Sequence, residues 1–141
     1  MEQGKDYIGI GVGAFILNPH SHVLLMKRGP LSKNEVGSWI IPGGAVNFGE
    51  TLRQAVVREV KEEIGVEIEL DGQIPAIDHL IPGEKQHWVT NIFPAHITTG
   101  IPQVKEPGKC DEIGWFAMDK LPSPLASSTQ GAVNYFLGLR N

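Results

Sequence analysis

The chain has a single cysteine, Cys110, and no hydrophobic run long enough to suggest a transmembrane helix. One thiol cannot form an internal disulfide or supply a pair of metal ligands, so a buried thiol in a reducing compartment is the simplest interpretation. A membrane-spanning helix needs about 18–20 consecutive apolar residues. The first residues also lack the basic start and apolar stretch of a secretory signal. We therefore expect a cytoplasmic protein without a membrane partner.

Positive charge is also scarce. The 141 residues include 12 lysines and arginines against 16 aspartates and glutamates, a formal charge of −4. This balance argues against binding to polymeric nucleic acid, which depends on neutralising many phosphates. A small nucleotide stays compatible, because a divalent cation can bridge acidic side chains and phosphates. Composition is close to the globular average and no linker divides the chain, so we expect a single domain over residues 1–141.

The hydrophobic pattern predicts a mixed α/β fold. Residues 42–44, Pro-Gly-Gly, predict a break in regular structure. A final helix is expected to begin at Ser123-Pro124 and to run through Phe136 and Leu139. Loops are predicted at 29–38 and 98–111, and strands at 7–17, 23–28, 39–41, 66–70, 74–81, 87–97 and 112–118.

Residues 51–65 have the clearest helical signature. Thr51 followed by Gln54 matches a capping box, in which each side chain satisfies a free backbone amide at the helix start. Gly65 provides a C-terminal stop. A core-facing ridge is expected from the apolar residues that recur every fourth position, namely Leu52, Val56, Val60 and Ile64.

The polar side of this helix concentrates negative charge. Glu59, Glu62 and Glu63 fall within an arc of roughly 100° at the helical period. Like charges at this spacing destabilise a helix unless something compensates them. Carboxylate oxygens suit Mg²⁺ or Mn²⁺, hard ions that also bind phosphate oxygens. The alternative is a solvated acidic helix face with Arg58 and Lys61 as ordinary partners.

These residues form part of a longer pattern that resembles the Nudix box. Gly44 is followed after five residues by Glu50, and after seven more by the segment Arg58-Glu-Val-Lys-Glu-Glu-Ile-Gly-Val66. Trp39 to Gly44 and Asp119 to Pro122 have counterparts in the same family, and the chain is most similar to its MutT-like nucleoside-triphosphate diphosphatases. The resemblance implies the Nudix fold, an α/β/α sandwich around a mixed sheet, with the box at residues 44–66.

The resemblance also implies roles for individual residues. A Mg²⁺ site, with Mn²⁺ as a substitute, is implied at Gly44, Glu59, Glu62, Glu63 and Glu106. Glu59 is implied as a proton acceptor, with Arg58 orienting the carboxylates and Glu62 as a further catalytic group. Substrate contacts are implied at Arg28, Trp39 and Gly43.

Several of these residues also have ordinary structural interpretations. Glu106 fits a solvated loop carboxylate, and Arg28 fits a cation at a strand edge. Trp39, Trp88 and Trp115 could stack on a base, but tryptophans in a core are commoner. The five histidines show no metal-ligand spacing and are expected in the core or at the surface. Gly9, Gly11 and Gly13 indicate close packing on one strand face.

Three functions fit the resemblance. The first is hydrolysis of nucleoside triphosphates to the monophosphate and pyrophosphate. The second is cleavage of a nucleoside diphosphate linked to another group, such as ADP-ribose or a sugar nucleotide, for which Pro82, 16 residues after Val66, is a weak indication. The third is a nucleotide-binding domain without catalysis. The resemblance also makes a homodimer an option.

Overall fold

The computed structural model describes residues 1–138, which contain eight β-strands, two α-helices and one short 3₁₀ helix. No helix within these residues is long and apolar enough to cross a bilayer. In chain order the elements are β1 (Gly9–Ile16), β2 (Val23–Arg28), β3 (Trp39–Ile40), β4 (Gly43–Ala45), α1 (Leu52–Ile64), β5 (Glu67–Leu70), β6 (Ile77–Ile81), the 3₁₀ helix (Pro82–Glu84), β7 (Gln86–Thr99), β8 (Cys110–Phe116) and α2 (Ser127–Phe136).

The strands form two sheets. The larger has the order β4-β1-β7-β5, and β6 also pairs with β7. Strand β7 has two antiparallel partners on one edge because it is 14 residues long: residues 86–90 pair with β6 and residues 95–99 with β5. Since β1 and β7 run parallel, the predicted mixed sheet is confirmed. The smaller sheet is antiparallel, in the order β3-β2-β8.

The two helices cover opposite faces of the larger sheet. Neighbouring side chains on a strand point to opposite faces. Ala14 belongs to the hydrophobic cluster formed with α1, whereas Phe15 belongs to the cluster that includes Val133 and Phe136 of α2. This arrangement confirms the predicted α/β/α sandwich.

Helix α1 forms as its sequence predicts. The Thr51 hydroxyl accepts a hydrogen bond from the Gln54 amide at 3.1 Å, and the Gln54 side chain accepts one from the Thr51 amide at 2.9 Å. Gly65 ends the helix in the left-handed conformation, with φ 73°. Val56, Val60 and Ile64 are fully buried.

The predicted break is confirmed at Pro42, which lies between β3 and β4, but it is wrong at Gly43 and Gly44, because both are part of β4. The strand pairs with β1 in antiparallel register, Gly43 opposite Gly13 and Gly44 opposite Val12. A Cβ atom on Gly43 would overlap the Val12 carbonyl oxygen and lie 2.7 Å from Gly13 Cα. Glycine is therefore required here for close approach to β1 rather than for a turn.

Helix α2 begins at Ser127, later than predicted, and the expected end at Leu139 lies outside the described residues. Its N-cap residue, Ala126, has no side chain that can cap the helix. The cap comes instead from Glu35 in the loop after β2, whose carboxylate accepts hydrogen bonds from the Ser127 amide and hydroxyl. This loop is thereby fixed to α2.

We expect Thr51→Ala to lower the free energy of unfolding by about 1 kcal/mol, because it removes the side-chain acceptor at the start of α1. Urea denaturation followed by circular dichroism measures the change. Thr51→Ser keeps a hydroxyl and should stay within a few tenths of a kcal/mol of the parent protein. Equal losses in both variants would contradict a role for the capping hydroxyl.

Candidate active site

One cleft of about 350 Å³ lies beside the α1 carboxylates. Its wall combines backbone of β1 and β4 with side chains of α1, β6, β7, the loop after β2 and the loop before β8. Among the residues that line it are Gly11, Gly13, Arg28, Lys33, Asn34, Gly43, Gly44, Glu59, Glu62, Glu63, His79, Trp88, Thr90, Glu106, Lys109 and Ser128.

Glu63 is the most deeply placed carboxylate. Its Oε1 accepts a hydrogen bond of 2.8 Å from the Gly43 amide, which joins α1 to β4. Burial raises the pKa of Glu63 well above its usual value, and repulsion from Glu59 and Glu106 acts in the same direction. The surroundings of Glu63 therefore destabilise its anionic form. A bound cation would stabilise that form.

Glu59 packs against the backbone of β4. A Cβ atom on Gly44 would lie 2.5 Å from Glu59 Cδ, so a side chain at this position would displace the Glu59 carboxylate from where it lies. Burial also raises the pKa of Glu59, opposed by the neighbouring guanidinium of Arg58 and assisted by the charges of Glu62 and Glu106. Gly44 therefore lies directly beside the Glu59 carboxylate.

Arg58 holds the acidic cluster together. Its Nε and Nη2 bind the Glu50 carboxylate at 2.6 and 2.8 Å, and Nη2 also donates to the Ala45 carbonyl at 3.1 Å. Nη1 lies 2.9 Å from Glu59 Oε1 and 3.2 Å from Glu62 Oε2. The bidentate bond from Arg58 lowers the pKa of Glu50 to about 2. Arg58 therefore contacts three carboxylates at once, an arrangement in keeping with the orienting role that the resemblance implies.

Glu106 also reaches the cleft, on the loop before β8. Its charge acts on both Glu59 and Glu63, so the three carboxylates are electrostatic neighbours. Within residues 1–138, however, no three acidic, histidine or cysteine side chains already form a closed metal-binding group. The donors are hard oxygens that repel one another, so this set fits a divalent cation such as Mg²⁺, although it is not preassembled.

Positive charge lines other parts of the same cleft. Arg28, Lys33 and Lys109 are lining residues, and Lys109 Nζ lies 3.8 Å from Glu106 Oε2. Arg28 Nε donates to the Asn34 carbonyl at 2.7 Å. Burial lowers the pKa of Arg28, but an arginine side chain stays protonated in proteins. Carboxylates and cations in one cleft suit a phosphate ligand bound together with a metal.

The structure does not bring Trp39 to the cleft, contrary to its assignment as a substrate contact. Trp39 is buried in the cluster near α2 and packs edge-on against Phe116, with ring centroids 5.1 Å apart. Trp115 packs against the cluster near α1. Trp88 alone of the three tryptophans lines the cleft.

Cys110 is buried, as expected, and burial raises the pKa of its thiol to about 11.

Several cleft residues carry no signal in the sequence. Lys33 and Lys109 look like ordinary loop lysines, and Thr90, Ser128 and His79 look like scattered polar residues. The glycine pattern of β1 is one clue to Thr90, because Gly11 lies directly opposite Thr90 in the sheet. The predicted close packing on that strand face is confirmed: Gly9 lies against the Trp88 ring and Gly13 against Ile41.

Comparison with known proteins agrees with this geometry. The family model for the NUDIX domain matches residues 8–136, which is most of the chain. The chain belongs to the Nudix family. Its Nudix fold is closely matched by the crystal structure of a MutT Nudix hydrolase from Burkholderia pseudomallei, with 36% identity and a TM-score of 0.85 over 92% of this chain and 98% of that one.

Two curated Nudix relatives show how the match varies in extent. A putative 8-oxo-dGTP diphosphatase from Bacillus subtilis is 31% identical over 127 residues, covering 88% of this chain and 78% of that protein. Nudix hydrolase 2 from Arabidopsis thaliana is 42% identical over 62 residues, covering 44% of this chain. The matched segment is only 22% of the length of the plant protein, so most of that protein has no counterpart in this match.

We expect Gly43→Ala to lower the free energy of unfolding by about 1–3 kcal/mol, the usual range for overpacking, because the new methyl group meets backbone atoms of β1 that cannot move aside. Urea denaturation measures the loss. Gly83→Ala is a matched control, since its Cβ would have no neighbour within 4 Å. A Gly43→Ala protein as stable as this control would contradict the close approach of β4 to β1.

Proposed function

We propose that this Nudix domain hydrolyses a phosphoanhydride bond of a nucleoside triphosphate, releasing the monophosphate and pyrophosphate. The observation that carries the proposal is the crowding of Glu59, Glu63 and Glu106 in a cleft that also contains cationic side chains. Acidic groups alone would repel a polyphosphate. The same groups with a divalent cation among them would bind it.

Mg²⁺ is the proposed cofactor, with Mn²⁺ as a substitute, held by Glu59, Glu62, Glu63 and Glu106 and by the Gly44 carbonyl. Such an ion neutralises phosphate oxygens and acidifies a bound water when it is present. The donor set supports this assignment, because carboxylate and carbonyl oxygens are the ligands that Mg²⁺ prefers.

The remaining roles belong to side chains of the chain itself. Glu59 is the proposed acceptor for the proton of the attacking water, because burial and the charge of neighbouring carboxylates favour its protonated form. Arg58 is a positioning residue, since it binds Glu50 on one side and Glu59 on the other. Arg28 and Lys109 are proposed contacts of the phosphates.

An oxidised purine deoxynucleoside triphosphate is the first substrate to test. This choice is supported by the Bacillus subtilis relative, which is named a putative 8-oxo-dGTP diphosphatase. The alternative substrates, ADP-ribose and sugar nucleotides, have no specific support in the cleft, and the side chain of Pro82 lies outside what the structure describes. A homodimer stays a prediction, which light scattering can check.

A substrate panel tests the proposal. The protein is incubated with Mg²⁺ and either nucleoside triphosphates including 8-oxo-dGTP, ADP-ribose or sugar nucleotides, and the phosphate products are identified. Pyrophosphate from a triphosphate is the expected product. Two monophosphates from ADP-ribose would indicate the second function. Binding without turnover would indicate a non-catalytic domain, and addition of EDTA should abolish any hydrolysis.

We expect Glu63→Gln to lower turnover at saturating Mg²⁺ by about 10²-fold or more, the scale of a lost electrostatic or acid–base contribution. In metal-free buffer the variant should be at least as stable as the parent protein, because a neutral amide removes a repelled, buried charge and still accepts from the Gly43 amide. Steady-state kinetics and thermal unfolding measure the two effects.

Glu69→Gln, at an exposed position on β5, is the matched control for the lost charge. This variant should change neither the turnover nor the stability in metal-free buffer. Near-normal turnover of Glu63→Gln would remove Glu63 from the metal site. A marked loss of stability in metal-free buffer would instead indicate that Glu63 has mainly a structural role.

A further inference from the structure

The loop after β2, residues 29–38, is connected to distant parts of the chain through Glu35. The Glu35 carboxylate accepts hydrogen bonds from the amide and the hydroxyl of Ser127, the first residue of α2. Its Oε2 also lies 3.3 Å from Nε2 of His79, a buried residue of β6. A single side chain therefore joins the loop to a helix and to a strand.

The backbone of Glu35 is engaged as well. Its amide donates to Glu84 Oε2 at 2.9 Å, and its carbonyl accepts from the amide and the hydroxyl of Ser38 at 3.1 and 2.6 Å. Glu35 has a φ of 45°, in the left-handed region that residues other than glycine adopt rarely. Such a conformation persists only where the surrounding contacts enforce it. The contacts of Glu35 therefore define the path of the loop at this residue.

The peptide bond between Asn34 and Glu35 supports a cation of the cleft. The Asn34 carbonyl accepts a hydrogen bond of 2.7 Å from Nε of Arg28, which lines the cleft at the end of β2. Because a peptide bond is planar, this carbonyl and the Glu35 amide bound by Glu84 belong to one rigid unit. The guanidinium is planar too, so a fixed acceptor at Nε restricts where its other N–H groups can point.

Asn34 has a second support at the start of β7. Its Nδ2 donates to Oε1 of Gln86 at 3.1 Å, and Gln86 Nε2 donates to the Lys33 carbonyl at 3.0 Å. Gln86 therefore holds the side chain of Asn34 and the backbone before it. Glu35 holds the backbone after it, and the Asn34 carbonyl is part of that side of the residue. The anchoring of Glu35 consequently acts on the acceptor of the arginine most directly.

The charge of Glu35 acts on the same arginine. Burial lowers the pKa of Arg28, and the carboxylates of Glu63 and Glu35 oppose that effect. Burial acts to raise the pKa of Glu35, but its contacts with His79 and Ser127 lower this pKa overall. Glu35 is therefore ionised at neutral pH. A carboxylate near Arg28 stabilises the charged guanidinium in its partly apolar surroundings.

We propose that Glu35 is a positioning residue for the substrate cleft, which keeps the Asn34 carbonyl in place and thereby directs the Arg28 guanidinium toward the ligand. The inference rests on the proposed function, because Arg28 is a proposed contact of the phosphates. Glu35 is not among the residues that line the cleft within residues 1–138, so it acts through the loop and not by touching the ligand. Its anchors make the position of Arg28 depend on α2 and β6.

Steady-state kinetics of Glu35→Ala, with the triphosphate that the parent protein hydrolyses fastest, test this role. A phosphate contact that is made both before and in the transition state contributes uniform binding. We therefore expect KM to rise about 5–10-fold, as for one lost hydrogen bond, with kcat within about twofold of the parent value. A purely structural role would lower the fraction of active protein, and therefore kcat, at an unchanged KM. Glu69→Ala, which removes an exposed carboxylate on β5, is the matched control and should change neither constant.

A double-mutant cycle with Arg28→Ala shows whether Glu35 acts through the arginine. Arg28→Ala removes the whole charge-assisted contact and should raise KM more than Glu35→Ala does. Effects within one network are not additive, so adding Glu35→Ala to Arg28→Ala should raise KM by less than about twofold further. An effect of Glu35→Ala that is equally large in both backgrounds would overturn the proposal.

The NMR signal of the Arg28 Nε–H group reports its hydrogen bond without any turnover. We expect exchange of this proton with water to be about 5–10-fold faster in Glu35→Ala than in the parent protein, as for the loss of one hydrogen bond. Glu35→Gln keeps an oxygen that can accept from Ser127, so its exchange and its KM should lie closer to the parent values. An equal effect of both substitutions would contradict anchoring by these hydrogen bonds.

Unchanged Nε–H exchange in Glu35→Ala would overturn the proposal, as would an unchanged KM, and neither result affects the function of a parent protein that hydrolyses triphosphates. A parent protein without turnover in which Glu35→Ala accelerates this exchange keeps the positioning role and loses the proposed function. If Glu35→Ala does not fold, Ser127→Ala removes one anchor from the side of α2. Faster Nε–H exchange in that variant supports the proposal, and unchanged exchange overturns it.

Discussion

The guanidinium of Arg58 is the interaction on which the acidic end of the cleft depends. Glu59 and Glu62 are on the same turn of α1, where their charges repel, and Arg58 binds both while its other side is held by Glu50 and the Ala45 carbonyl. The five donors of one planar cation therefore tie the helix to the loop before it and to β4. A lysine offers a single charged nitrogen and could not make these contacts in a fixed plane.

The glycines of β4 let this charged network meet the sheet. A side chain at Gly43 would keep β4 from pairing with β1, and a side chain at Gly44 would occupy the space of the Glu59 carboxylate. The Gly43 amide then binds Glu63, so the backbone of the edge strand neutralises part of the buried charge. The helix, the strand and the acidic side chains therefore position one another, so a displacement of one of them would displace the others.

Local features of the sequence were predictable, and features that depend on distant residues were not. The capping box, the buried ridge and the acidic face of α1 all come from spacings of three and four residues, and the structure has the helix at the predicted place. The Pro42-Gly43-Gly44 segment was misinterpreted because its glycines serve a close approach to β1, which local propensity cannot show. Trp39 was misassigned for the same reason, since its contact with Phe116 depends on β8, a strand of the same sheet that is distant in the sequence.

The cleft combines a cluster of carboxylates with cationic side chains. At the α1 end, buried carboxylates repel one another and are compensated only in part by Arg58, Arg28 and a backbone amide. Arg28, Lys33 and Lys109 line the same cleft with positive charge. The crowded carboxylates destabilise the empty protein relative to an apolar cleft of the same shape. A divalent cation bound together with a phosphate ligand would relieve this repulsion, because the cation binds carboxylate and phosphate oxygens at once and the cationic side chains can bind the remaining phosphate charge.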